Sequence, residues 1–234
     1  MSAFHRLYSG LDREGPGLPE DVHWALDRLS LKGPVRVCDA GCGSGADTRT
    51  LGIALPEARI EAVEQMPHLA GEAKARCGDL GNVSVRHGDM GALEGPFDLI
   101  WSAGALYFLG VTEGLTAWAD ALAPGGGVAF SEPVRLTGND PEVERFWAEY
   151  PALTDLDGIA ARVRQAGYEM LDHRLILGAP WAAYYQSLAA RIVALSVEAD
   201  AEMRRVLDTS WTEIANWRAA PDRIAYALVI ARPS

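Results

Sequence analysis

The chain has 234 residues, 49% hydrophobic and 23% charged, the balance of a globular protein able to bury a full core. Its 21 Lys and Arg against 32 Asp and Glu give a net charge of −11. That argues against nucleic acid or an anionic membrane surface as a partner, since both reward clustered basic residues. No apolar run is long enough to span a bilayer, so no membrane insertion is expected, and residues 1–17 lack the apolar stretch of a signal peptide. Cys38, Cys42 and Cys77 read as free thiols of a reducing compartment, so a cytoplasmic location is expected.

A Gly- and Pro-rich stretch over 10–19 sets an N-terminal arm, residues 1–18, apart from the first helical pattern. Over 19–31, Val22, Ala25, Leu26 and Leu29 recur at helical spacing behind Pro19, Glu20 and Asp21, and Gly33-Pro34 ends the pattern. A strand is predicted over 35–39, running into Gly41, Gly43 and Gly45. Strands over 59–64, 83–86, 97–102 and 127–131 then alternate with helices over 47–55, 67–77 and 112–122. That alternation implies right-handed βαβ units and a parallel sheet covered on both faces. Beyond Glu132, helices over 140–150, 155–166 and 179–217 dominate. Strand-like stretches at 168–177 and 224–231 suit an antiparallel pair closing the sheet's edge, with the helical insertion over its top.

The loop 37–45, Val-Cys-Asp-Ala-Gly-Cys-Gly-Ser-Gly, sits where a strand feeds a helix. Glycine there permits a tight turn and close ligand approach, and the helix N-terminus offers unpaired N–H groups. Gly41-x-Gly43-x-x-Ala46 also satisfies the dinucleotide pattern, so the loop alone does not decide the ligand. Asp39 puts a carboxylate where a pyrophosphate would be repelled and a zwitterionic, sulfonium-bearing amino-acid tail welcomed. Glu64 ends the second strand, placed to accept from both ribose hydroxyls. Asp89, after the third strand, is placed to accept from adenine's exocyclic amino group, although Gly-Asp before a helix is also a common cap. The spacing suits an adenosine joined to an amino acid without phosphate between them.

Together the loop from Asp39 to Gly45, Glu64, Gly88-Asp89-Met90, the run Phe97 to Ser102 and Leu122-Ala123-Pro124-Gly125-Gly126 resemble the class I S-adenosylmethionine-dependent methyltransferases. The run Trp101 to Tyr107 and the arm motif Arg13-Glu14-Gly15-Pro16-Gly17 are similar to the small-molecule branch related to ubiquinone and menaquinone biosynthesis. The resemblance implies a doubly wound α/β fold, with a mostly parallel seven-stranded sheet, an antiparallel last strand and a helical cap. It implies one domain over 1–234, with the cofactor core at 35–132, the substrate cap at 133–222 and the final strand at 223–234. It further implies S-adenosylmethionine as cofactor, S-adenosylhomocysteine as product, and Asp39, Gly41, Cys42, Gly43, Gly45, Glu64, Gln65, Asp89, Met90 and Ser102 as cofactor-binding positions. The partner is then a small-molecule methyl acceptor, and the protein a monomer or homodimer.

For the acceptor side, Glu132, Tyr107 and His173 are the candidate general bases, should a proton have to leave. Tyr8, Tyr107, Trp181, Tyr184 and Tyr185 are candidate pocket walls, with the arm and the insertion expected to close over the cofactor. The five histidines show no metal spacing, and no metal is expected. The chain lacks the Pro-Pro-aromatic and Pro-Cys motifs of DNA base methylation. A nicotinamide-dependent oxidoreductase would need pyrophosphate beside Asp39 and lacks a Tyr-x-x-x-Lys, Lys32 and Lys74 being the only lysines. A non-catalytic S-adenosylmethionine-binding protein is the other alternative.

Overall fold

The structure, a computed structural model, describes residues 2–234. Its seven strands are β1 (Arg36–Ala40), β2 (Arg59–Glu64), β3 (Val83–His87), β4 (Phe97–Ser102), β5 (Leu122–Arg135), β6 (Tyr168–Ile176) and β7 (Ile224–Pro233). They form one sheet in the order β3-β2-β1-β4-β5-β7-β6. The first five pair in parallel, and β7 runs antiparallel to both β5 and β6. The last strand is thus inserted between β5 and β6, and β6 is the edge.

Burial explains the sequence patterns. The inner strands β1, β4 and β7 are covered on both faces and read as near-continuous apolar runs. The edge strands β3 and β6 alternate between sheltered and exposed positions. The helices are α1 (Ala3–Tyr8), α2 (Pro19–Leu29), α3 (Ala46–Ala54), α4 (Pro67–Arg76), α5 (Val111–Trp118), α6 (Pro141–Phe146), α7 (Leu156–Gln165), α8 (Ala179–Ser196) and α9 (Ala201–Ala219). Val22, Leu51, Leu188 and Met203 bring α2, α3, α8 and α9 into the core on one face. Leu115, Trp118, Ile159 and Val163 do the same for α5 and α7 on the other.

Several boundaries differ from the sequence expectation. The stretch 179–217 is two helices, because the Asp200 carboxylate caps α9 through the Met203 N–H at 2.8 Å. The helices expected over 112–122 and 140–150 end at Trp118 and Phe146. The arm carries a short helix, α1, packed on α8 and α9. β5 runs on to Arg135, so Glu132 lies inside the strand, opposite Ala227, instead of at its end. Among the described residues, no helix is long and apolar enough to cross a membrane.

Gly45, the residue preceding α3, has φ +86°, and a Cβ there would stand 2.9 Å from the Ala73 Cβ of α4. Gly45→Ala therefore combines left-handed backbone strain with overpacking. It is expected to destabilise the fold by about 1–3 kcal/mol, read as a lowered urea midpoint. An unchanged midpoint would show that α3 and α4 part easily there.

Candidate active site

The loop after β1 is tied to β2 by its backbone. The N–H groups of Gly41 and Cys42 donate to the Val63 carbonyl at 2.9 and 3.1 Å. At Gly41, φ is +79°, and a Cβ would collide with the Ala105 methyl at 2.5 Å and crowd the Met90 Sδ at 3.1 Å. The Glu64 carboxylate accepts from the Gly43 N–H (2.9 Å) through Oε2 and from the Met66 N–H (2.7 Å) through Oε1. A carboxylate has about four lone-pair sites, so each oxygen keeps one for a ligand. From the arm, Glu14 Oε2 accepts from the Ser44 N–H at 3.0 Å, and its Oε1 has no partner.

Asp39 lies beneath the loop, 2% exposed, where its Oδ2 accepts from Thr48 Oγ1 at 2.5 Å. Burial first, then the neighbouring Asp47, push its pKa up to about 8. Asp47 in turn holds Arg13 at 2.6 Å and accepts from the Trp101 indole at 3.2 Å, so Arg13 on Asp47 and Glu14 on Ser44 fasten the arm over the loop.

Three connected hollows open at the carboxyl ends of the strands. A small one of about 100 Å³ lies between the arm and the loop and is lined by Asp39, Gly41, Cys42, Gly43 and Asp47. A second, about 370 Å³, is lined by Gly41, Gly43, Glu64, Gln65, Met90 and Tyr8, with Met66, His68, Leu69 and Ala105. A third, about 780 Å³, lies among Tyr8, Trp147, Tyr150, Trp181, Tyr184, Glu213 and Tyr226. Tyr107 lines all three.

Some expected site residues are used otherwise. Ser102 is fully buried, and its hydroxyl donates to the Ala40 carbonyl at 2.8 Å, fastening β4 to β1. Gly45 serves the packing of α3 on α4. The Asp89 Oδ1 accepts from the Gly91 N–H at 2.7 Å in a turn, which leaves its other oxygen exposed beside Met90. His173 is exposed on the edge strand β6 and lines none of the three hollows, so the structure keeps it from the site. Tyr185 is buried and donates to Glu213 Oε1 at 2.8 Å, supporting the third hollow from behind. Glu132 is fully buried under Tyr150, which donates to its Oε1; Arg162 lies 3.5 Å from the same oxygen, and Oε2 is unpartnered.

Glu213, Trp147 and Tyr226 carry no motif and are brought in only by tertiary packing. Glu213 lies on α9 and meets Tyr185 of α8 across the helix pair, a contact that no spacing along the chain announces. Among the described residues, no cluster of His, Cys, Asp and Glu is arranged to hold a metal.

Residues 37–126 match the family model described as a methyltransferase domain. The chain is similar to the trans-aconitate 2-methyltransferase of Streptomyces avermitilis, 35% identical over 134 residues, which cover 55% of this chain and 45% of that protein. It is likewise similar to the trans-aconitate 2-methyltransferase of Methylobacterium nodulans, 34% identical over 154 residues, 63% of this chain and 58% of that protein. The match thus spans about half the length of these relatives. Among solved structures, an S-adenosylmethionine-dependent methyltransferase from Geobacter sulfurreducens, in complex with S-adenosylhomocysteine, superposes with a TM-score of 0.87 at 20% identity, covering 99% of this chain and 98% of that one. The likeness over nearly the whole of both chains shows that this chain shares the Rossmann-like fold of that structure, with the methyltransferase-domain match confined to 37–126.

Burial lifts the Glu132 pKa to about 7, against the lowering pull of Tyr150 and Arg162. The native state therefore holds this proton more tightly than the unfolded chain. The contribution of this group to stability is full below about pH 4.5 and is lost as pH climbs through 7. Urea unfolding at pH 5.5 and pH 8 is expected to show a smaller loss at high pH for Glu132→Gln than for the parent. Asp39 shifts in the same direction but is common to both proteins. Equal losses would mean that Glu132 is ionised throughout.

Proposed function

We propose that this protein is an S-adenosylmethionine-dependent methyltransferase acting on a small molecule, in the cytoplasm, as a monomer or homodimer. One observation carries the reading. The 370 Å³ hollow at the ends of β1 and β2 has two carboxylates, Glu14 and Glu64, in its wall and no Lys or Arg. Such a wall suits an adenosine joined to a cationic amino-acid sulfonium and disfavours the pyrophosphate of a nicotinamide cofactor.

The residues fit the group. Glu64 has two lone pairs free for the ribose hydroxyls, and the backbone of Gly41 and Gly43 borders the same hollow. Met90, Leu69 and Gln65 line this hollow and are assigned to the adenine, whereas Asp89, the chain neighbour of Met90, lines none of the three hollows. Asp39, Cys42 and Gly43 border the small hollow assigned to the amino-acid tail. The bound cofactor supplies a methyl group already made electrophilic by its sulfonium. What remains for the protein is alignment and exclusion of water, an effect worth about 7–11 kcal/mol in favourable cases.

Tyr8, Glu14, Tyr107 and Phe108 line both the cofactor hollow and the 780 Å³ hollow, which supports assigning the larger one to the acceptor. Trp181 and Tyr184 wall that hollow. A proton leaving the acceptor would reach Glu132 only through the Tyr150 hydroxyl that covers it. The trans-aconitate in the names of the curated relatives belongs to the same broad class of small acceptors. A large second hollow sharing a wall with the first favours an enzyme over a protein that merely senses the cofactor.

Calorimetry is expected to give micromolar binding of S-adenosylhomocysteine and no comparable binding of NAD. Hydrogen bonds to a charged group are worth about 1.5–3 kcal/mol. Glu64→Ala is therefore expected to weaken S-adenosylhomocysteine about ten- to a hundredfold, at tenfold per 1.4 kcal/mol. NAD binding as the tighter ligand would overturn the reading, and unchanged affinity in Glu64→Ala would remove Glu64 from it.

A further inference from the structure

The 780 Å³ hollow is walled by aromatic rings that touch one another. Trp181 and Tyr226 have centroids 5.1 Å apart, Trp147 and Tyr226 5.6 Å, and Trp147 and Trp181 6.0 Å at 79°. Tyr107 and Tyr150 extend the wall, 5.9 Å apart and edge-on. Aromatic faces are electron-rich and attract organic cations, most strongly where water is excluded.

The charges in this wall point the same way. Glu149 and Arg145 are both exposed at its rim, and the sheltered charged groups that line it are Glu14 and Glu213. The Arg13 nearby is committed to Asp47. Glu213 has a hydrogen bond from Tyr185 but no ion-pair partner among the described residues. It lines the same hollow as Tyr8, Tyr107, Tyr184 and Tyr226, whose hydroxyl pKa values its charge helps to raise, and burial raises its own pKa. A sheltered carboxylate without a cation, ringed by aromatic side chains, is an unfilled counter-charge. A multiply charged carboxylate acceptor would meet repulsion there and find no buried Arg or Lys to receive it.

We propose that the acceptor is an amine bound as its ammonium ion, held against the faces of Trp147, Trp181 and Tyr226 with Glu213 as its counter-charge. The nitrogen gives its proton to the Glu213 carboxylate, and the lone pair so freed takes the methyl carbon as the bond from that carbon to sulfur breaks and S-adenosylhomocysteine leaves as the thioether. The proposal rests on the methyltransferase reading and narrows its acceptor from small molecules in general to organic cations. It separates this chain from the tricarboxylate named for its curated relatives.

The test is calorimetric titration of the protein saturated with S-adenosylhomocysteine. The probes are choline, its uncharged carbon isostere 3,3-dimethyl-1-butanol, and trans-aconitate. Choline is expected to bind, the isostere at least tenfold more weakly, and trans-aconitate to give no heat. Glu213→Gln, with S-adenosylhomocysteine affinity as the check on its fold, is expected to weaken choline at least tenfold. Should that variant not fold, the comparison of choline with its isostere on the parent decides alone. Choline failing to bind, choline and isostere binding equally, trans-aconitate binding more tightly, or a folded Glu213→Gln with unchanged choline affinity would each overturn the cation assignment. All four leave the methyltransferase reading standing. Failure of S-adenosylhomocysteine itself to bind would overturn that reading and the proposal with it.

Discussion

The Glu64 carboxylate is the joint on which the site depends. It lies at the end of β2, 8% exposed, and receives one N–H from the glycine loop and one from the start of α4. The loop needs such a tether, because its glycines hold φ values of +79°, +55° and +86° that other residues rarely adopt. With Gly41 under Ala105 and Gly45 under Ala73, the backbone has nowhere else to go. One charged group therefore fixes the loop and keeps lone pairs for a ligand, so little has to be ordered when the ligand arrives.

A chain of net charge −11 gathers carboxylates at the ends of its strands and must keep them tolerable there. It uses a different device for each. Glu64 is satisfied by two backbone N–H groups, and Asp47 by Arg13 and the Trp101 indole. Asp39 and Glu132 have no such full compensation, and burial raises their pKa to about 8 and about 7. A buried carboxyl that keeps its proton avoids the cost of an unpaired charge. Glu14 and Glu213 are half-buried at the hollows, and burial raises their pKa as well.

The alternating first half of the chain was legible because its signals are local. Strand, glycine turn and helix follow one another within ten residues, and Glu64 falls at the end of the next strand. The five parallel strands came out within a few residues at most boundaries, though β5 proved longer at both ends. What stayed hidden depends on contacts between distant segments. Glu14 meets Ser44 from thirty residues upstream, and Glu213 enters from the far end of the chain on α9. Ser102 carries the right motif, yet its hydroxyl is consumed by Ala40, a partner no spacing rule names. His173 sits on a strand as expected, but that strand is the sheet's outer edge, because β7 takes the inner position.

That same insertion of β7 has a consequence for the chemistry. A transfer reaction needs its two ligands to share a rigid wall, since small misplacements of aligned groups are costly in rate. Two residues are common to all three hollows, Glu14 of the arm and Tyr107, on the 3₁₀ turn Leu106–Phe108 that follows β4. A tyrosine on a short turn is a poor reference point by itself. Here its ring stacks on Tyr226, 6.5 Å away at 26°, and Tyr226 belongs to β7, hydrogen-bonded on both sides by β5 and β6. Tyr226 is itself wedged against Trp147 and Trp181. Were β7 at the edge, Tyr226 would sit on a strand paired along one side only, and the wall between the hollows would be free to shift. The sheet order thus ties a short turn to an inner strand at the wall that the hollows share.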